Sequence, residues 1–205
     1  MLSGLSLTAL LEELAAPREV PGAGSALAAA LATAAAVVQM AARLSPDSWT
    51  DAAGVAAQAE ALRERATRLV DEDADAYRRA LEARATADET AKPEQRDSRL
   101  EASPAKPPTP DQRDWALGRV TAAAAEPPLA LARLAADLAE LCAAAGQRVE
   151  PRVHADVAAA AALAAAVARG ARELVATNLT ALPGDVRVKE ADRLVATTEA
   201  AVRSL

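Results

Sequence analysis

Apolar residues in this chain recur at intervals of three and four positions, and turns that contain proline separate the periodic segments. This spacing is that of one face of an α-helix, so the pattern predicts helices rather than strands. The predicted helices cover residues 7–16 after a Ser6 cap, 25–44, 51–84, 111–125, the stretch from Leu129 to Gly146, 156–182 and 186–202. We expect six or seven antiparallel helices in an up-and-down bundle.

The segment from Thr86 to Asp111 breaks the helical pattern. It contains five prolines and many charged residues, and such a composition cannot bury a core. It is therefore predicted to be an exposed linker (residues 86–111) inside a single domain that spans residues 1–205.

The amino-acid composition further restricts the possible fold classes. Hydrophobic residues make up 52% of the 205 residues, but about 60 are alanine, and the chain has no Phe, two Trp and one Tyr. Alanine is the best helix former, while the β-branched and aromatic residues that suit a sheet are scarce. Alanine also buries little area, so the helices must approach closely and a second copy would add buried surface. The expectation is an Ala-rich, all-α, dimeric bundle.

Charge and cysteine content bear on partners and location. The net charge of -6 argues against nucleic acid, since phosphate binding needs clustered basic residues. The single cysteine, Cys142, cannot form an intramolecular disulfide, and Glu12 and Glu13 interrupt the apolar run near the start. We therefore expect a cytoplasmic protein without an export signal.

The uncharged stretch from Val20 to Ala42 is long enough to cross a membrane. Its alanines favour insertion much less than leucine would, and Pro21 and Gly22 break its first turn. A buried helix of the bundle is the expected structure, with no membrane partner.

Pro21–Ser25 is the first candidate for chemistry. Gly22 and Gly24 before a helix could place free backbone N–H groups around an anion. Alternatively, the segment is a tight turn in which Ser25 is the N-cap.

The acidic segment Val70–Tyr77 is the second candidate. On a helix, Asp71 and Asp75 share one face, and Asp73 and Tyr77 share another. Asp73 could then act as a general base or stabilise a cation, with Tyr77 supplying a hydrogen bond or a proton. A solvated acidic face with Tyr77 in the core is the alternative.

The third candidate is His154 with Asp156, at the start of a late apolar helix. Asp156 could be catalytic or could simply cap that helix, and the lone histidine could titrate near neutrality or merely be exposed. No pair of His or Cys residues has metal-ligand spacing, so no metal is expected.

Taken in order, these motifs resemble the cyclodeaminase/cyclohydrolase family of folate enzymes, which includes formiminotetrahydrofolate cyclodeaminase and methenyltetrahydrofolate cyclohydrolase. The resemblance spans nearly the whole chain. It rests on the turn Pro17–Ser25, the Glu-Asp-x-x-Ala-Tyr motif at Glu72–Tyr77, Pro128-Leu129, Asp156–Ala158, and Asn178-Leu179 ahead of Asp185.

The chain also departs from the family pattern. Ala23 interrupts a glycine run, Ala155 replaces a serine, Leu174 replaces an asparagine, and Pro46–Trp49 replaces a basic stretch.

The resemblance implies a tetrahydrofolate derivative as substrate, with no covalently bound cofactor, and a homodimer. Two reactions remain open: hydrolysis of methenyltetrahydrofolate, or release of ammonia from formiminotetrahydrofolate. The implied catalytic residues are Asp73, Tyr77 and Asp156, and the implied ligand-binding residues are Gly22, Gly24, Ser25 and Asn178. In this hypothesis Asp73 and Asp156 flank a cationic one-carbon unit and the Gly22–Ser25 segment receives an anionic part of the ligand. A non-catalytic helical homodimer that retains the fold as a binding or scaffold protein is the alternative.

Overall fold

The computed structural model of the chain describes residues 1–45, 49–91, 118–180 and 182–205. These residues form helices and contain no strand, which confirms the all-α prediction. The α-helices are α1 (Leu7–Ala15), α2 (Ala23–Arg43), α3 (Ala52–Ala91), α4 (Glu126–Gly146), α5 (His154–Asn178) and α6 (Val186–Arg203). Short 3-10 turns lie at Leu2–Gly4 and Pro151–Val153, and residues 118–123 are also helical.

The core lies between α2, α4 and α5. Helix α2 packs along α3 and α5, and α4 packs against α5 and α6. Fully buried side chains from these helices meet in one cluster that includes Leu31, Leu131, Leu134, Leu138 and Val167. Cys142 belongs to the same cluster, and burial raises the pKa of its thiol to about 12. The cysteine is therefore a core residue rather than a nucleophile.

Small residues allow α2 and α5 to approach closely. A Cβ atom added at Gly170 of α5 would lie 2.9 Å from Leu27 Cδ1 of α2, closer than side-chain atoms pack. Both helices are long and apolar enough to cross a membrane by length and composition alone, and 50% and 44% of their most apolar windows are buried in the bundle. Core helices of soluble proteins meet the same criterion.

Two helix boundaries, the start of α4 and the end of α3, differ from the prediction for different reasons. Helix α4 begins at Glu126, so Pro127 and Pro128 lie in its first turn rather than at a kink. Proline lacks a backbone N–H, but the first turn has no intrahelical acceptor for that group. Helix α3 runs to Ala91 instead of ending near Arg84. No proline or glycine occurs between those two residues. The predicted linker is therefore helical over residues 86–91, and its remainder lies outside the described residues.

The other helix ends that the structure describes agree with the prediction to within four residues, whereas the start predicted at residue 111 lies outside the described residues. Ser6 caps α1, since its hydroxyl accepts a hydrogen bond from the Ala9 N–H at 3.2 Å. Helix α2 begins at Ala23, which is two residues before the predicted start at Ser25. Helix α5 begins at His154 and ends at Asn178 instead of covering 156–182.

Candidate active site

A pocket of about 280 Å³ lies at the end of the bundle where α2 begins and α5 ends. Five of the seven residues predicted for the site line it: Gly22, Gly24, Asp73, Tyr77 and Asn178. They come from α2, α3 and α5, so the tertiary fold brings these distant motifs together. The pocket is also lined by Glu19, Ala23, Ala124, Leu174 and Thr177.

The start of α2 determines the position of Asp73. A Cβ atom built on Gly24 would lie 2.1 Å from Asp73 Oδ1 and 2.3 Å from Oδ2. The carboxyl group therefore occupies the space that any other residue at position 24 would fill with its side chain. Because the first turn of a helix carries unpaired N–H groups and a partial positive charge, it is a favourable place for a carboxylate.

Burial is the main influence on the acidity of Asp73. It raises the pKa of this carboxyl group to about 6, while interactions with the backbone N–H and the hydroxyl group of Ser25 act in the opposite direction. A carboxyl group with this pKa exchanges its proton near neutrality, as general acid–base catalysis requires.

Two acidic residues near Asp73 in the sequence, Asp71 and Asp75, form contacts outside the pocket. Asp71 accepts hydrogen bonds from Leu2 N and Ser3 Oγ, both at 2.5 Å. Burial acts to raise the pKa of Asp71, but these hydrogen bonds outweigh it and lower the pKa. Asp75 forms an exposed ion pair with Arg78. Asp73 is thus the member of the acidic segment that lines the pocket, with Tyr77 one turn later.

Ser25 lies behind the pocket instead of lining it. The residue is fully buried in the first turn of α2, and its hydroxyl donates a hydrogen bond to the Val70 carbonyl oxygen at 2.8 Å. It does not cap α2, because Gly22 occupies the N-cap position. Ser25 therefore joins α2 to α3 one turn before Asp73.

Asn178 helps to build the opposite wall. Its side-chain nitrogen donates a hydrogen bond to the Ala124 carbonyl oxygen at 2.9 Å, which leaves its oxygen and one amide hydrogen for a ligand. Arg187 holds the same segment, donating to the Ala122 carbonyl oxygen at 2.8 Å and to Glu126 at 2.7 Å. The side chain of Arg187 also hydrogen-bonds Asp185 and so lowers the pKa of that carboxyl group to about 2.

A single chain does not bring Asp156 to this pocket. Asp156 lies in the first turn of α5, whereas Leu174, Thr177 and Asn178 are near the end of that helix. The 22 residues from Asp156 to Asn178 span about 33 Å at the helical rise of about 1.5 Å per residue. Asp156 also does not cap α5, whose N-cap is Val153, and His154 is exposed beside it.

The sequence profile of formiminotransferase-cyclodeaminase matches residues 6–196 of this chain. The chain belongs to the formiminotransferase-cyclodeaminase family. This membership confirms the resemblance drawn from the motifs.

A solved structure with the same fold is the crystal structure of formiminotetrahydrofolate cyclodeaminase from Thermotoga maritima. It aligns with a TM-score of 0.80 and 18% sequence identity, over 100% of this chain and 95% of that one. No curated protein sequence matches the chain significantly.

Two departures from the formiminotransferase-cyclodeaminase pattern fall in the pocket itself. Ala23 and Leu174 both line it, so they make its wall more apolar than the glycine and asparagine expected from the family resemblance. Ala155 is exposed at the start of α5, far from the pocket. The expected basic stretch falls at Pro46–Trp49, of which residues 46–48 lie outside the described residues, while Trp49 is buried.

Some residues that line the pocket of this family member could not be predicted from the sequence. Glu19 lies in a turn, Ala124 is one of four consecutive alanines, and Thr177 occupies an ordinary helical position. The one available hint was the proximity of Thr177 to Asn178 in the sequence.

The contact between Gly24 and Asp73 predicts a non-additive pair of substitutions. Gly24→Ala should destabilise the protein by about 1–3 kcal/mol, because the new methyl group overlaps the carboxyl group. In an Asp73→Ala background the same substitution should be neutral or stabilising. Urea unfolding of the four variants measures the coupling.

Gly54→Ala is the matched control, since a Cβ at Gly54 of α3 would meet no atom within 4 Å. It should stabilise α3 by about 0.5–1 kcal/mol. An equal effect of Gly24→Ala in both backgrounds would show that Asp73 does not occupy this space.

Proposed function

We propose that this chain is a folate-dependent one-carbon enzyme that acts on methenyl- or formiminotetrahydrofolate. The observation that carries the proposal is the Asp73 carboxyl group in the pocket, held against Gly24 with its pKa raised to about 6 and with Tyr77 beside it. Family membership and the shared fold support the substrate class.

In the proposed hydrolysis, water adds to the cationic carbon that bridges N5 and N10 of the folate. Asp73, as the carboxylate, accepts a proton from that water as the new C–O bond forms. The hydroxyl oxygen of the adduct then loses its proton and forms the formyl C=O as the C–N5 bond breaks. N5 takes up one of the two water protons, the other is released to solvent, and the product is the 10-formyl derivative. The carboxylate also stabilises the cation before attack, and Tyr77 donates a hydrogen bond to the developing oxygen.

The ammonia-releasing reaction would use the same pocket. There N10 attacks the formimino carbon, and the departing nitrogen needs a proton, which a protonated Asp73 can supply. A carboxyl group with a pKa of about 6 suits either direction of transfer.

A non-catalytic scaffold is the second candidate. It would be favoured if Leu174 or Trp49 filled the pocket. Leu174 instead lines a pocket that retains about 280 Å³, and Trp49 is part of the core cluster. The open pocket thus supports the enzyme.

Turnover assays test the reaction. Loss of the methenyl chromophore and release of ammonia should be followed separately, with Asp73→Asn as the test variant. We expect this isosteric change to lower kcat at least about 100-fold, since it removes the proton-transfer group. Asp75→Asn is the matched control on the same helix, because its exposed carboxylate only pairs with Arg78. Equal activity of Asp73→Asn and the wild type would refute the assigned role.

We also propose that the protein is a cytoplasmic homodimer that associates through α2 and α5. Between residues 24 and 42 of α2, and between 157 and 168 of α5, there is no charged residue. Met40 and Leu163 remain 40% exposed on these helices. A large uncharged surface of this kind marks a contact site. Antiparallel pairing of α5 across a two-fold axis would carry Asp156 of one copy towards the pocket of the other.

Sedimentation analysis tests the dimer. Leu163→Glu should give monomers, because it places a charge in the middle of the uncharged surface, whereas Val186→Glu on the 73% exposed Val186 of α6 should leave the dimer intact. A monomeric wild type would contradict the proposal.

A further inference from the structure

A second and larger cavity lies beside the Asp73 pocket. It has a volume of about 660 Å³ and is formed by α3 and the segment 118–124. Ala124 lines both cavities, and Ala76, which lines the larger one, is adjacent to Tyr77 in the sequence. The two cavities therefore adjoin each other.

The structure shows that the start of α2 is not free for an anionic part of a ligand. The Asp73 carboxyl group already occupies the space next to Gly24 in the first turn of that helix. When Asp73 is ionised, a second carboxylate there would meet like-charge repulsion. An anionic ligand group must therefore be bound elsewhere.

The larger cavity contains suitable cationic groups. Among the residues that the structure describes, Arg79 of α3 and Arg119 of the segment 118–123 line it together with the acidic Glu82. Arg79 is exposed and forms no ion pair with the residues that the structure describes. A guanidinium group presents a planar fork of N–H donors that matches a carboxylate.

Size and spacing favour one ligand across both cavities. The Asp73 pocket, at about 280 Å³, falls slightly below the range of roughly 300–1,000 Å³ in which drug-sized ligands are bound. A folate is larger than such a pocket and carries its carboxylates at the end remote from the one-carbon unit. Arg79 follows Asp73 by six residues, or about 9 Å along α3 at about 1.5 Å per residue.

We propose that the cavity lined by Arg79 and Arg119, here called the arginine cavity, binds the carboxylate-bearing tail of the ligand whose one-carbon end lies at Asp73. This inference rests on the proposed function for the identity of the ligand. Arg79 and Arg119 are specificity-determining residues that recognise the tail and take no part in the chemical step.

Titration calorimetry with two ligand fragments tests the arginine cavity without turnover. The first fragment is 4-aminobenzoylglutamate, which carries the tail carboxylates, and the second is 6-methyltetrahydropterin, which has none. Arg79→Ala should weaken binding of the first about tenfold, the loss of one charge-assisted contact, and leave the second unchanged. Arg79→Lys should recover part of the affinity, because it keeps the charge.

Arg84→Ala is the matched control, since Arg84 is an exposed arginine of α3 that does not line the cavity. It should behave like the wild type. In turnover assays Arg79→Ala should raise KM for the intact folate with kcat retained, and Arg119→Ala should do the same.

The outcomes separate this proposal from the reaction itself. If the wild type binds the tail fragment and Arg79→Ala does not, the arginine cavity is supported, whether or not the protein turns over a folate. Absence of turnover in that case would refute only the proposed reaction. Equal affinity of the wild type and Arg79→Ala for the tail fragment, or failure of the wild type to bind it, overturns the arginine cavity whatever the turnover.

Discussion

The contact between the Asp73 carboxyl group and the backbone at Gly24 is the constraint on which the site depends. It requires α2 to begin directly against the middle of α3, and it leaves no space for a side chain at position 24. The buried hydrogen bond from Ser25 to the Val70 carbonyl oxygen fixes the same two helices one turn away. Burial of a carboxyl group costs free energy when it is ionised, and this cost appears as the raised pKa. The fold thus holds a proton-exchanging group at the edge of a pocket.

The same contact determines which charged groups around the pocket are available to a ligand. Because Asp73 occupies the positive end of α2, that helix start serves an internal carboxylate instead of a ligand. One cationic side chain of α3, Arg79, lies six residues further along that helix and lines the adjoining cavity. Asp71 and Asp75 are engaged in other contacts, so four acidic residues in sequence leave one that lines the pocket.

The helices of this protein could be predicted from the sequence because their signals are local. Leucine spacing, the Ser6 cap and the prolines act within a few residues, and they placed the helix ends to within a few positions except at α3. That helix continues past Arg84 because charged and polar residues there still favour a helix in the absence of proline or glycine. The pairing of Asp73 with Tyr77 on one face also follows from local geometry.

The remaining features depend on tertiary packing. The glycines at 22 and 24 indicated an anion site, but the sequence could not show that the anion is the chain's own Asp73. Asp156 has the residue type and helix position expected of a catalytic group, yet the length of α5 separates it from the pocket within one chain. Ala124 and Thr177 enter the site only because α4 and α5 meet at the same end of the bundle.

The site depends on a partly buried Asp73 carboxyl group that contacts the start of α2. Carbon-13 NMR titration of the side-chain carboxyl groups tests it most directly, with the Asp73 signal assigned by its disappearance in Asp73→Asn. We expect a pKa of about 6 for this group, above its ordinary value of 3.8. Protonation would then stabilise the folded protein at low pH, and this contribution would be lost as the pH rises from about 4 through 6. A pKa at or below 3.8 would instead show a carboxylate that is solvated or paired with a cation, and the assigned contact with the start of α2 would be wrong.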